Sequence, residues 1–547
     1  MDTILILDFG SQTTELIGRR VRDLGVYTEI MPGDGALPDL SSVRGIILSG
    51  SPESVYTSRG AAPDKRIYTA GIPLLGICYG AQRMNTDLGG AVEALGTQEY
   101  GAVTVRLYPP AEAEHAAAFR ERTAVFFVGF DRTAPLADIL AGKIRPNEDP
   151  VSFVSWMSHG DTLTRLAPGF REYGRSVSGF PAVIVHEDYP WFGLQFHPEV
   201  THCQRGLEIL AAFVFGVCKC APEWTMEQYV ETVSRSIYRK VGDNPVLLLI
   251  SGGVDSSVAG ALLLKTLPEA QVHFMYLDTG LMRKDETLEV ESGLTRLGAR
   301  HLHSIRCEEE FLDALRGAED PEVKRKIIGD LFITIQEREV AKLRLPPTYF
   351  LAQGTLYTDL IESGKGVGTK ARLIKSHHNV GSPLVQAKRE AGRIIEPLDR
   401  LYKDEARRLG GMLGMDRAVI NRHPFPGPGL AVRIIGEVTK EKCAILREAD
   451  AIYIAELKRR GLYDKIWQAF AVLLPVRSVG VAGDLRKYGW VLALRAVVSA
   501  DGMTADVYPF LMGDIIEIAT VITNTVKAVG RVTYDVSSKP PATIEWE

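Results

Sequence analysis

Apolar residues in this chain fall in short unbroken runs that end in polar or glycine-rich turns and are followed by apolar positions at helical spacing. TILILDFG, GIILSG, IPLLGIC and FGLQFHPE form a first series, and PVLLLISGG, QVHFMYLDTG, HLHSIRC and PTYFLAQGT a second. Continuous apolar runs of four to six residues read as strands covered on both faces, and their alternation with helical periodicity predicts mostly parallel sheets flanked by helices. Two doubly wound α/β domains are therefore expected, joined near residues 218–225, where CKCAPEW breaks the periodicity. Between Tyr108 and Pro150 the chain is rich in proline and acidic residues and reads as a surface connection. HPFPGPGL (423–430) packs three prolines and two glycines into eight residues and marks a boundary. Beyond it, GWVLALRAVVS and RVTYDVSS, with helices between, predict a small α+β module. The expected domains are thus 1–218, 222–424 and 425–547.

Length agrees, since 547 residues at about 150 per domain allow three or four. The net charge of −5 gives no global basic field for nucleic acid. Neither a signal peptide nor an apolar run of membrane-spanning length is expected. Six scattered cysteines argue against a disulfide framework and for a reducing cytoplasm. Cys218 and Cys220 could be half of a metal site, but no second pair has zinc-like spacing.

Two local patterns carry chemistry. In GICYG (76–80) a strand delivers Cys78 to a tight turn between Gly76 and Gly80, with a helix beginning near Ala81. This is the strand–nucleophile–helix elbow, in which a helix N-terminus favours thiolate and the Tyr79 N–H can meet an oxyanion. FGLQFHPE supplies a base, with His197 and Glu199 on one side of an extended end held by Pro198. A carboxylate beside the imidazole completes the roles of a triad. In SGGVDSS (251–257) a buried strand enters a glycine–serine loop, followed by a helix read over Val258–Leu264. Such a loop suits a phosphate-bearing anion, but it lacks the lysine of a Walker A sequence.

Cys78, His197 and Glu199 in these settings, with LSGSPES, WMSHGD and DFGSQTTELIGRRVRDLGVYTEI, resemble the class I glutamine amidotransferases. That likeness implies that backbone at Gly50 and Tyr79 forms the oxyanion hole and that Gln82, Ser158 and His159 hold glutamine. Ser51 departs from the family's second glycine. SGGVDSS resembles the pyrophosphate loop of N-type ATP pyrophosphatases. The likeness implies ATP contacts at Ser251, Gly252, Gly253, Val254, Asp255, Ser256, Ser257 and Asp278, with Asp255 on Mg²⁺. LAQGTLYTDLIES, IKSHHNVGSP and the terminal SSKPPATIEWE extend the resemblance over essentially the whole chain to the GMP synthetase family. Those enzymes aminate xanthosine monophosphate (XMP) with glutamine nitrogen while cleaving ATP to AMP and pyrophosphate. The family likeness further implies Lys375 on ATP phosphates, and Arg325, Lys539, Ile544 and Glu545 on the acceptor. It places Asp359 and Glu362 in coupling, with Thr358 where the family has proline, and implies a homodimer with no nucleic-acid or membrane partner. A tRNA-thiolating enzyme with an SGGxDS loop and a non-catalytic regulator are the alternatives. The glutaminase half argues against the first, and the intact triad residues against the second.

Overall fold

In this computed structural model the described residues are 1–57, 60–108, 125–130, 152–362, 382–482, 485–499 and 504–547. They divide into two compact units, one built on Met1–Tyr229 and one on Val230–Asp359 with the described residues after 381. Among them no helix is long and apolar enough to cross a membrane.

The first unit carries a nine-stranded sheet. Its strands are β1 (Thr3–Asp8), β2 (Tyr27–Pro32), β3 (Val43–Leu48), β4 (Leu74–Ile77), β5 (Ala91–Leu107), β6 (Ser152–Arg165), β7 (Phe170–Ser176), β8 (Pro181–His186) and β9 (Trp191–Leu194), ordered β2-β1-β3-β4-β9-β8-β7-β5-β6. The five strands from β2 to β9 pair in parallel, and the rest form an antiparallel wing. The parallel strands read as apolar throughout because both faces are covered: Leu5, Ile46, Leu48 and Leu74 are fully buried. Each such side chain contributes roughly 1.5–3 kcal/mol by leaving water.

The second unit holds a parallel sheet of β10 (Val246–Ile250), β11 (Val272–Asp278), β12 (His301–Arg306), β13 (Phe350–Ala352) and β14 (Ile394–Ile395), ordered β12-β11-β10-β13-β14. A second sheet, β15 (Gln468–Ala482), β16 (Leu485–Val498), β17 (Asp506–Val507) and β18 (Val529–Tyr534), packs under the helices Lys440–Arg459 and Met512–Thr525. One continuous core links Leu247 and Met275 with Leu446, Leu492 and Ile518.

Two expectations about elements need correction. The helix after β10 is Val254–Thr266, so Asp255, Ser256 and Ser257 form its first turn rather than preceding it. Within the expected surface connection, the described stretch 125–130 is core. Phe126 and Phe130 are fully buried against Phe192, Phe153 and Phe196, because the apolar AVFFVGF outweighs its polar flanks.

Candidate functional site

Strand β4 delivers Cys78 into a backbone conformation of φ 53° that side chains rarely adopt, and the helix Tyr79–Asp87 starts at the next residue. Both flanking glycines are required by close approach. A Cβ at Gly76 would lie 2.6 Å from the Ala81 nitrogen, and one at Gly80 2.2 Å from the Leu48 carbonyl. Tyr79 occupies the first helical position, where the backbone N–H has no partner within the helix.

His197 lies past the end of β9, just before the turn at Pro198 and Glu199, and its Nδ1 stands 2.7 Å from Glu199 Oε1. Burial opposes protonation of His197, but the Glu199 carboxylate and hydrogen bonds with Cys78 and Glu199 outweigh it. They hold the imidazole's pKa well above its ordinary value. A Cβ on Gly50 would stand 3.3 Å from His197 Cε1, so the Gly50 backbone borders the same space. The Cys78 thiol faces the Ser158 carbonyl at 3.8 Å, whereas the Ser158 side chain is exposed.

Gln82 and His159 both donate to the Asp161 carbonyl, from Nε2 and Nδ1, each at 2.9 Å. His159 Nε2 stands 3.2 Å from Glu99 Oε2 without hydrogen-bond alignment, and both Glu99 oxygens and this nitrogen are buried with no hydrogen bond. Burial lowers the pKa of His159, with the Asp161 carbonyl and Glu99 offsetting it only in part. Glu99 and Gln195 were missed from the sequence. Gln195 stood two places before His197, but nothing local marked its side chain as facing Cys78.

In the second unit the residues of SGGVDSS stay together and organise one another. Gly252 sits at φ +79°, where L side chains are strained. Ser256 Oγ lies 3.2 Å from Ser251 Oγ, and Ser257 Oγ donates to the Gly253 carbonyl at 2.9 Å. Asp255 meets Lys403 at 3.7 Å, while its Oδ1 is buried without a hydrogen bond. An orphaned carboxylate oxygen at a helix N-terminus fits a hard cation that takes its other ligands from phosphates and water. Asp278 ends the neighbouring strand β11, and its two oxygens accept from the Gly280 N–H and the Thr287 hydroxyl. Two contacts here were not foreseen. Arg422 donates to the Gly252 carbonyl, and Gly354 lets β13's loop pass within 2.9 Å of the Ser256 nitrogen at its would-be Cβ. A cavity of about 290 Å³ flanks the loop, lined by Gly252, Ser257, Val290, Leu294, Met415 and Arg422 among others.

The C-terminal segment is anchored throughout. The Lys539 backbone pairs with Ala505, and Ile544 packs on Phe470 and Val472. Glu545 accepts from fully buried Arg433 at 3.0 and 2.8 Å and from Gln468 at 2.6 Å. Arg495, also fully buried, donates to the Ile544, Thr543 and Ser537 carbonyls. Arg325 reaches the Glu547 carbonyl at 2.6 Å, which brings it to this segment beside Lys324 and Glu547. Asp359 Oδ2 accepts from the Leu356 N–H at 2.8 Å. Lys375 and the side chain of Glu362 lie outside the described residues.

Residues 5–217 match the glutamine amidotransferase class-I family, and residues 455–546 match the GMP synthase C terminal domain. The whole chain is 46% identical to the GMP synthase [glutamine-hydrolyzing] of Aquifex aeolicus (strain VF5), over 99% of that protein. It is 46% identical to the protein of that name from Phenylobacterium zucineum (strain HLK1) and 45% identical to that from Zymomonas mobilis, over 98% of each.

Proposed function

This chain belongs to the family of glutamine-hydrolysing GMP synthases, and from that premise we infer how its residues divide the work. It is a ligase of purine biosynthesis that makes GMP from XMP, with glutamine as nitrogen donor and ATP as substrate. The observation that carries the assignment of roles is the contact of Cys78, His197 and Glu199 on a glycine-framed elbow.

Cys78 attacks the glutamine carboxamide, and the C–N bond breaks as ammonia leaves with a proton from His197. Water then hydrolyses the glutamyl thioester, and His197 takes the water's proton. Glu199 orients the imidazole, and backbone N–H groups at Gly50 and Tyr79 meet the tetrahedral oxyanion. Gln82, Ser158 and His159 line the approach of glutamine.

The adenylating reaction is assigned to residues 222–424, and acceptor binding and dimerisation to residues 425–547, with 1–218 as the glutaminase. The 2-oxygen of XMP attacks the α-phosphorus of ATP, pyrophosphate leaves into the loop from Ser251 to Ser257, and ammonia displaces AMP. Asp255 would hold Mg²⁺, which supplies charge neutralisation on the leaving phosphates. Asp278 shapes the neighbouring loop, and Lys375 is assigned to ATP phosphates. Arg325, Lys539, Ile544 and Glu545 are assigned to the acceptor. Buried Arg433 supports this placement of Glu545, since its Nε and one terminal nitrogen hold both carboxylate oxygens in one orientation. Asp359 and Glu362 are assigned to coupling of the two reactions.

A homodimer is supported by the exposed apolar side chains Val476, Val479, Val481 and Tyr488 along the β15–β16 hairpin. The six free, buried cysteines fit a reducing cytoplasm. Measuring pyrophosphate release on adding XMP to enzyme and ATP tests the assignment. Release that depends on XMP is expected. Release indifferent to XMP would contradict it.

A further inference from the structure

We propose that Gln195 aims and polarises the Cys78 sulfur, in an orientation imposed on it by Gln82. Gln195 is 1% exposed, and its Nε2 lies 3.7 Å from Cys78 Sγ. A primary amide presents a donor at one end and an acceptor at the other, so the role of this contact depends on which end faces the sulfur. The protein settles that through a chain of two amides.

The chain begins at the Asp161 carbonyl, which can only accept. It therefore takes a proton from Gln82 Nε2, at 2.9 Å, and fixes the Gln82 amide. The same nitrogen stands 3.2 Å from Gln195 Oε1, so the Gln195 oxygen is held toward Gln82. Its nitrogen must then face Cys78 and donate. The His159 Nδ1–H occupies the other lone pair of the Asp161 carbonyl, which leaves the first link no freedom to turn over.

An N–H aimed at sulfur favours thiolate over thiol, because charge on the acceptor strengthens the bond and burial strengthens it again. The groups around the sulfur are consistent with this division. His197, backed by Glu199, faces it from the segment after β9, and the Ser158 carbonyl from β6 accepts a hydrogen bond from the thiol when the sulfur is neutral. Glu99 and His159 lie further along β5 and β6. Gln195 is thus the uncharged donor that acts on the nucleophile before substrate arrives. It is a positioning residue for Cys78 and rests on Cys78 being the nucleophile.

The test is the rate of iodoacetamide alkylation at Cys78, located by peptide mass mapping, between about pH 5 and pH 9. Gln195→Met keeps volume and packing but removes the donor; Gln195→Glu replaces it with a negative charge. The Met variant is expected to alkylate on the order of tenfold more slowly at neutral pH and to recover rate as pH rises, a displacement of about one pH unit. The Glu variant should be displaced further in the same direction. Glutaminase kcat should fall in parallel, with KM for glutamine little changed. Folding of each variant is checked by its thermal melt; should neither fold, Gln195→His, which keeps a ring donor, is expected to retain the wild-type profile, and a folded His variant displaced as far as loss of the donor predicts would overturn the proposal. A folded Met variant with the wild-type profile would overturn the proposal. Cys78→Ala, which leaves no nucleophilic atom at this position, separates the two readings. Surviving glutaminase activity there would refute the nucleophile itself, whereas its loss beside an unshifted Met variant refutes only the role of Gln195.

Discussion

His423 accepts the Ala469 N–H at Nδ1 (3.1 Å), donates from Nε2 to the Tyr463 carbonyl (3.0 Å) and stacks on the Tyr463 ring at 3.9 Å. Burial, aided by the nearby Arg283 charge, pushes its pKa down to about 4. A second ring proton would point at the Ala469 N–H, so the folded state binds it later than the unfolded chain, which titrates near 6.5. The stabilising contribution is therefore complete above about pH 6.5 and is lost as pH falls toward about 4, by roughly 3 kcal/mol in full. Urea unfolding of wild type and His423→Gln at pH 7 and pH 5 checks this: the variant should lose less stability on acidification. Equal losses would assign the acid sensitivity elsewhere. This ring was not legible in HPFPGPGL, where prolines and glycines announced only a boundary. Cys78 was legible through the glycines two residues to either side of it, and His197 with Glu199 through their spacing of two; that the two groups meet across the chain came from the family resemblance, not from any local signal. Gln195 and Arg433 were not legible, since they meet Cys78 and Glu545 across 117 and 112 residues of chain.

The elbow at Cys78 and the loop from Ser251 to Ser257 show what strand-to-helix junctions can carry. Gly80→Ala would drive a methyl group to 2.2 Å from the Leu48 carbonyl, backbone that cannot yield cheaply. The expected result is a loss of several kcal/mol, as for overpacking against backbone, together with glutaminase activity, measured by melting and glutamate release. Asp255→Asn keeps the first turn of Val254–Thr266 in shape but removes the charge of an oxygen that has no hydrogen bond. XMP-dependent pyrophosphate release should fall by a few orders of magnitude, the range that metal-assisted charge stabilisation supplies. Unchanged release would show that this loop does not hold the reacting ATP. The parallel strands were legible because double burial writes itself as unbroken apolar runs. Helix starts were less so, for Val254 and Asp255 carry no periodicity of their own. The buried stretch around Phe126 was masked by polar flanks, although its four aromatic and aliphatic neighbours signalled core.

At the level of the whole molecule, the last nine residues tie the end of the chain into the second unit. Removing 539–547 would strip Arg433 and Lys324 of their carboxylate partners, Glu545 and Glu547, at roughly 3–5 kcal/mol for each buried charge left unpaired. Truncation should therefore abolish XMP-dependent pyrophosphate release. The milder Glu545→Gln should raise KM for XMP about tenfold or more, the effect of one charged hydrogen-bond partner lost. An unaltered KM would free Glu545 from acceptor binding. The tail's proline pair and charges hinted at order, but its anchoring on Arg433 and Arg495 was invisible until the fold brought 112 and 49 residues of separation together. The proposed roles place two chemistries in one chain, one making ammonia at Cys78 and one consuming it at an adenylated purine. The most direct measurement is GMP formation by Cys78→Ala enzyme given XMP and ATP with either glutamine or an ammonium salt. Synthesis lost with glutamine and retained with ammonium is the predicted result; a folded variant inactive with both nitrogen sources, or still active with glutamine, would contradict it.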